Sequence, residues 1–182
     1  MAIALQLPLA ETAANRPPGT PVWWWLAGYF TILTNAAVAV LMGRSALGAA
    51  LSARLQGGLV LSIVMVGLVY HAILARLWAP QGLAWWTDQA LHTATPLLTL
   101  AWWLGFGDRR VGLRDLPWWL TWPAAYATCA LVRGALTSFW PYPFLGADRL
   151  GGVQVTGKVA GMVLAFAAGR LGLIALGRAL VR

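Results

Sequence analysis

The sequence predicts an all-α fold, a polytopic transmembrane helical bundle, and three observations carry that prediction. Of the 182 residues 60% are hydrophobic and only 10% charged, whereas about a quarter of a soluble domain of this size is charged. The mean hydropathy is +0.70, and the apolar residues fall in runs of the length a bilayer core of about 30 Å requires. Many of the twelve tryptophans fall at the ends of those runs, where an amphipathic ring suits the membrane–water interface.

Five full spans follow in order. Residues 1–10 are apolar but too short to span, and they read either as the end of a sixth helix or as a short interfacial segment. Pro17, Pro18 and Gly19 then break any helix. The first span, 22–43, opens with Trp23-Trp24-Trp25 and ends before Arg44; the second, 57–78, carries Tyr70, His71 and Arg76. Ala79-Pro80-Gln81-Gly82 turns the chain into the third span, 83–105. The fourth, 117–137, starts at Pro117, a residue suited to the first turn of a helix. The fifth, 153–180, contains Lys158 and Arg170. Between the last two, Phe139 to Leu145 is too proline-rich for a helix and too aromatic for a plain solvent loop, so it is expected to pack at the membrane surface.

The net charge of +8 would suggest nucleic acid in a soluble protein. Here the basic residues lie in loops between apolar spans, where they act as topology signals, and no nucleic-acid partner is implied. With five alternating spans, Arg44, Arg54, Arg109, Arg110, Arg114, Arg178 and Arg182 share one side, and Arg16, Arg76 and Arg149 the other. The richer side is expected to be cytoplasmic, which puts the C-terminus inside. Cys129 is the single cysteine, so no intramolecular disulfide forms, and it reads as a small packing residue.

The third span is the chemically loaded one. Asp88, His92 and Thr95 recur at i, i+4 and i+7 of a helix and so share a face, with Gln89 and Thr93 beside them. An acid and a histidine are costly in lipid, which marks them as a functional stripe. Thr31 lies nine residues into the first span and His92 nine into the third. At roughly 1.5 Å per residue both sit about 13 Å below the same face, so the two side chains can meet. His71, Arg76, Arg133 and Lys158 fall in the outer half, where charges face a cavity or one another. Arg133 suits a carboxylate head group, because a guanidinium forks onto one, or alternatively pairs with Asp88. A zinc site from His71, His92 and Asp88 lacks close ligand spacing. No phosphate loop, nucleophile elbow or CxxC is present, and no cofactor or metal is expected.

Two groups of residues resemble a known family. Leu91-His92-Thr93 followed by Pro96, and Tyr142-Pro143-Phe144-Leu145 some fifty residues on, are similar to the androgen-induced type membrane hydrolases, which cleave fatty acid esters of hydroxy fatty acids. Tyr29-Phe30-Thr31-Ile32-Leu33-Thr34-Asn35 and Leu-Val-Tyr-His at 68–71 resemble the bacterial six-helix branch of that family more closely. The resemblance implies a helical bundle in a bacterial inner membrane, with a threonine nucleophile and a histidine partner at Thr31 and His92. Asp88 would complete the set as an acid orienting the histidine. The family's acidic residue after the threonine is replaced here by Thr34 and Asn35, which leaves Thr34 open as an alternative nucleophile. Asn35, His71, Arg133, Tyr142 and Lys158 are the candidate substrate contacts. The expected function is hydrolysis of lipid-like esters within the membrane. The alternative is a non-enzymatic binder or transporter of a small anionic or amphipathic ligand. The oligomeric state is not encoded in any motif.

Overall fold

The computed structural model describes residues 19–77 and 79–179, so the expectation for residues 1–10 lies outside the described residues. Every regular element among them is helical. In order they are α1 (Val22–Leu26), α2 (Phe30–Ala46), α3 (Ala53–Val69) with a π-helical turn at Tyr70–Leu74, and α4 (Gly82–Gln89) with a π-helical turn at Ala90–Ala94 that leads into α5 (Thr95–Phe106). Then come α6 (Leu116–Thr137), the short α7 (Ala147–Leu150) and α8 (Gly152–Ala179), with 3-10 turns at Leu113–Asp115 and Pro143–Leu145.

Among the described residues two helices, Ala53–Leu74 and Gly152–Gly177, are long and apolar enough to cross a membrane. Alongside buried apolar residues such as Val60, Leu61, Ile63 and Trp103, the polar Thr31, Thr34, Gln56, Ser62, Asp88, Thr99 and Arg170 are buried, while Trp23, Leu97, Leu98, Leu136 and Leu164 are exposed. In water that arrangement would leave large apolar side chains hydrated.

The first span expected at 22–43 is not one helix. It breaks after Leu26, and Tyr29 is extended at φ −104°, ψ 123° before α2 begins. Gly28 lies in the break, where its poor helix propensity is set among aromatic neighbours that anchor the bend. Trp25 is buried and meets the Tyr29 ring edge-on at 6.2 Å. Thr31 is therefore in the first turn of a helix rather than nine residues deep in one. The far end of α2 is closed by a Schellman motif: Gly48 has φ +85°, its N–H bonds Ser45 O, and Ala49 N–H bonds Arg44 O.

The chain forms two compact units, residues 1–49 with 63–102, and residues 50–62 with 103–182. The divisions after residues 62 and 102 fall inside continuous helices, α3 and α5. In the first unit α2 packs on the π-helical turn of residues 90–94. In the second, α6 and α8 pack together, and Trp119 of α6 lies against Gly57 and Gly58, its indole N–H donating to Arg54 O at 2.8 Å. Trp103, one of the tryptophans expected at the membrane–water interface, is completely buried in this unit beside Gly107 and Gly177. It is a packing residue, because two glycines open a slot for its ring. Arg170 is buried among these groups too, donating to Gly112 O with its guanidinium 5.4 Å from the Trp119 ring centre.

Candidate active site

The site lies within the first unit, and proline chemistry shapes its backbone. In the turn of residues 90–94 the N–H of Thr95 reaches back five residues to Ala90 O. The carbonyl of Leu91 then needs the amide of residue 96, which is proline and has none. Asn35 supplies the missing donor: its Nδ2 bonds Leu91 O at 3.3 Å and Thr31 O at 2.9 Å. One amide nitrogen thus ties the main chain at Thr31 to the turn that carries His92. Gly67 of α3 completes the fit. A Cβ there would come within 2.9 Å of His92 O and 3.3 Å of the Pro96 ring, so only glycine lets the two helices approach this closely. Single π turns of this kind are frequent at functional sites.

On this backbone stands a three-residue chain. His92 Nδ1 lies 3.2 Å from Asp88 Oδ1 and 3.1 Å from Asp88 O, one turn back. Both partners are acceptors, so in the neutral imidazole Nδ1 is the protonated nitrogen and Nε2 the one with the lone pair. Nε2 has no hydrogen-bond partner among the described residues. Asp88 is 8% exposed, and its second oxygen accepts the Tyr70 hydroxyl. The Tyr70 ring lies parallel to the imidazole, centroids 4.0 Å apart and planes 14° apart. Acid, base and phenol are thereby fixed by one another.

A second polar chain runs beside the first. Thr93 Oγ1 donates to Gln89 Oε1 at 2.8 Å and meets His71 Nε2 at 3.0 Å. A hydroxyl has one proton, so with Gln89 receiving it His71 Nε2 is the donor. Thr93 is consequently not poised to give its proton to His71, although the two are in hydrogen-bond contact. His71 is exposed.

The sequence-predicted residues divide between the units. Thr31, Asn35, His71, Asp88 and His92 belong to the first; Arg133, Tyr142 and Lys158 belong to the second. Asp88 takes its partners, Tyr70 and His92, from within its own unit. Arg133 sits with its guanidinium 4.5 Å from the Phe139 ring centre, Tyr142 stacks on Phe144 at 5.1 Å, and Lys158 is exposed. Thr95 leaves the expected stripe: the extra residue of the π turn rotates it, and its hydroxyl bonds Ala90 O at 2.8 Å. Of the two threonine alternatives, Thr34 has no exposed surface, while Thr31 lies near the opening of α2.

Tyr70 is the member of the site that sequence reasoning missed. A signal was available, because Tyr70 and Asp88 each lie nine residues from Ala79 in the turn between two helices, and residues equidistant from such a turn face each other. No group of three metal-ligating side chains occurs among the described residues. No protein-family model matches the chain, no curated protein matches it, and no solved structure does.

Proposed function

We propose that the chain is a polytopic membrane hydrolase of lipid-like esters, with Thr31 as nucleophile, His92 as general base and Asp88 as the acid that orients the base. Here α2, the continuous helix Gly82–Phe106, and α6 join Ala53–Leu74 and α8 as spans of a bacterial inner membrane, the C-terminus inside. The observation that carries the reading is the pair of oxygens at His92 Nδ1. In the neutral imidazole they place the proton there and turn the lone pair to Nε2, on a turn that Asn35 ties to Thr31.

The chemistry follows from that placement. Nε2 takes the Thr31 hydroxyl proton as Oγ1 attacks the ester carbonyl, a proton transfer that imidazole performs near neutral pH. Asp88 stabilises the imidazolium so formed. The tetrahedral oxyanion develops near the first turn of α2, whose N-terminal end carries partial positive charge. Collapse expels the alcohol, which leaves with the proton from Nε2. Water then gives a proton to Nε2 and attacks the acyl-threonine; Nε2 returns that proton to Thr31 Oγ1 as the carboxylic acid leaves and ionises in water. An ester dissolved among acyl chains reaches such a site without crossing water, which favours a lipid substrate. Thr31 is preferred over Thr34 because it keeps some exposure, 8% against 0%.

The test is turnover of a fluorogenic long-chain ester by the purified chain in detergent. Wild type should hydrolyse it, and Thr31→Ala and His92→Ala should each lose about 10²–10⁴-fold. Equal rates in all three would refute the assignment. Saturable binding of the ester without turnover would identify a binder or transporter instead.

A further inference from the structure

We infer that Tyr70 is the positioning residue of the Asp88–His92 pair, setting both the rotamer of the acid and the plane of the base; this rests on the hydrolase reading above. The two carboxylate oxygens of Asp88 serve different partners, Oδ1 facing His92 Nδ1 at 3.2 Å and Oδ2 accepting the Tyr70 hydroxyl. A buried carboxylate with one oxygen unserved turns to serve it, which takes Oδ1 away from His92 Nδ1 and leaves that nitrogen only the main-chain Asp88 O at 3.1 Å. The phenol prevents that turn. Its ring has a second effect, since at 4.0 Å and 14° it leaves the imidazole only the orientation parallel to itself. Tyr70 can reach both groups because it is buried and opens the π turn of residues 70–74, whose closing bond runs from Ala75 N–H to Tyr70 O. Nothing in this geometry brings Tyr70 to a reacting atom; it acts through His92.

The chain has two histidines, so ¹⁵N-histidine spectra of the full-length protein in detergent contain two imidazoles, and the spectrum of His71→Asn assigns His92. Wild-type His92 should appear as the Nδ1–H tautomer. Tyr70→Phe keeps the ring and removes one oxygen. It should shift His92 toward a mixture of tautomers and lower kcat on 4-methylumbelliferyl oleate about tenfold, with KM within a factor of two. Asp88→Asn attacks the same contact from the acid's side and should also weaken the tautomer preference, with the main-chain Asp88 O remaining as an acceptor, and the double variant should lose no more activity than Asp88→Asn alone. A wild-type His92 spectrum in Tyr70→Phe, or losses that multiply in the double variant, would overturn the assignment. If wild type turns over no ester, the hydrolase reading fails while the tautomer measurement still decides the role of Tyr70.

Discussion

The link between Asn35 and Leu91 can be tested as a free energy. Asn35→Ala removes two hydrogen bonds of unequal worth. Thr31 O keeps its place in the α2 ladder, so losing the 2.9 Å bond costs a few tenths of a kcal/mol. Leu91 O has no second donor, because the Thr95 amide is spent on Ala90 and residue 96 has no N–H. Leaving a half-buried carbonyl unsatisfied costs about 1–2 kcal/mol. Alanine returns about 0.5 kcal/mol of helix propensity. The net loss should be about 1 kcal/mol, or roughly 2–4 °C in Tm for a chain of this size. Pro96→Ala restores an N–H that can reach Leu91 O, so in that background Asn35→Ala should be close to neutral. The coupling from the double-mutant cycle is then about 1 kcal/mol, measured by thermal unfolding in one detergent. Effects that add within about 0.3 kcal/mol would show that the proline and the asparagine are unconnected, and the account of the π turn would fail.

Other consequences are local to the second unit. Gly57→Ala drives a methyl into the Trp119 ring, with Cη2 at 2.8 Å, and strains the indole bond to Arg54 O; overpacking should outweigh the gain in helix propensity by about 1–3 kcal/mol. Gly161→Ala, with nothing within 4 Å of the new methyl, should instead stabilise by up to about 1 kcal/mol, and equal shifts in the unfolding curves of the two variants would contradict the packing. Asp115 lies outside the spans and accepts the Gly112 N–H and the Arg54 side chain, which hold its carboxyl below its ordinary value of 3.8. A depressed folded value means stability that is present above the unfolded value and lost as pH falls through the folded one. Tm of wild type should therefore drop faster than that of Asp115→Asn below about pH 4, and parallel acid limbs would refute the contribution.

How far the structure was legible from sequence depends on which physics a feature obeys. The helices at 53–74, 82–106, 116–137 and 152–179 were visible because long apolar runs report directly on helical segments. The break at Ala27–Tyr29 was not, since a tryptophan-rich run with one glycine reads as continuous until Trp25 is seen packing on Tyr29. Asp88 and His92 were legible as a pair, being one turn apart on a single helix. Their third partner was harder to read, because Tyr70 arrives from another helix and only its equal distance from the turn at Ala79 points to it. Trp103 and Trp102 have the same letter in sequence, and only Gly107 and Gly177 decide that Trp103 goes inside. Asn35 was chosen as a substrate contact, and no sequence pattern showed that its amide nitrogen serves the backbone that Pro96 leaves short of a donor.

The central claim is that the Thr31 oxygen, made nucleophilic by His92, forms the covalent bond to the acyl group. Peptide mass mapping after reaction with a long-chain fluorophosphonate tests it most directly. The account predicts a single adduct on Thr31, lost in His92→Ala and in Thr31→Ala. An adduct on Thr34 or Thr93, or full ester turnover with no adduct at all, would contradict it.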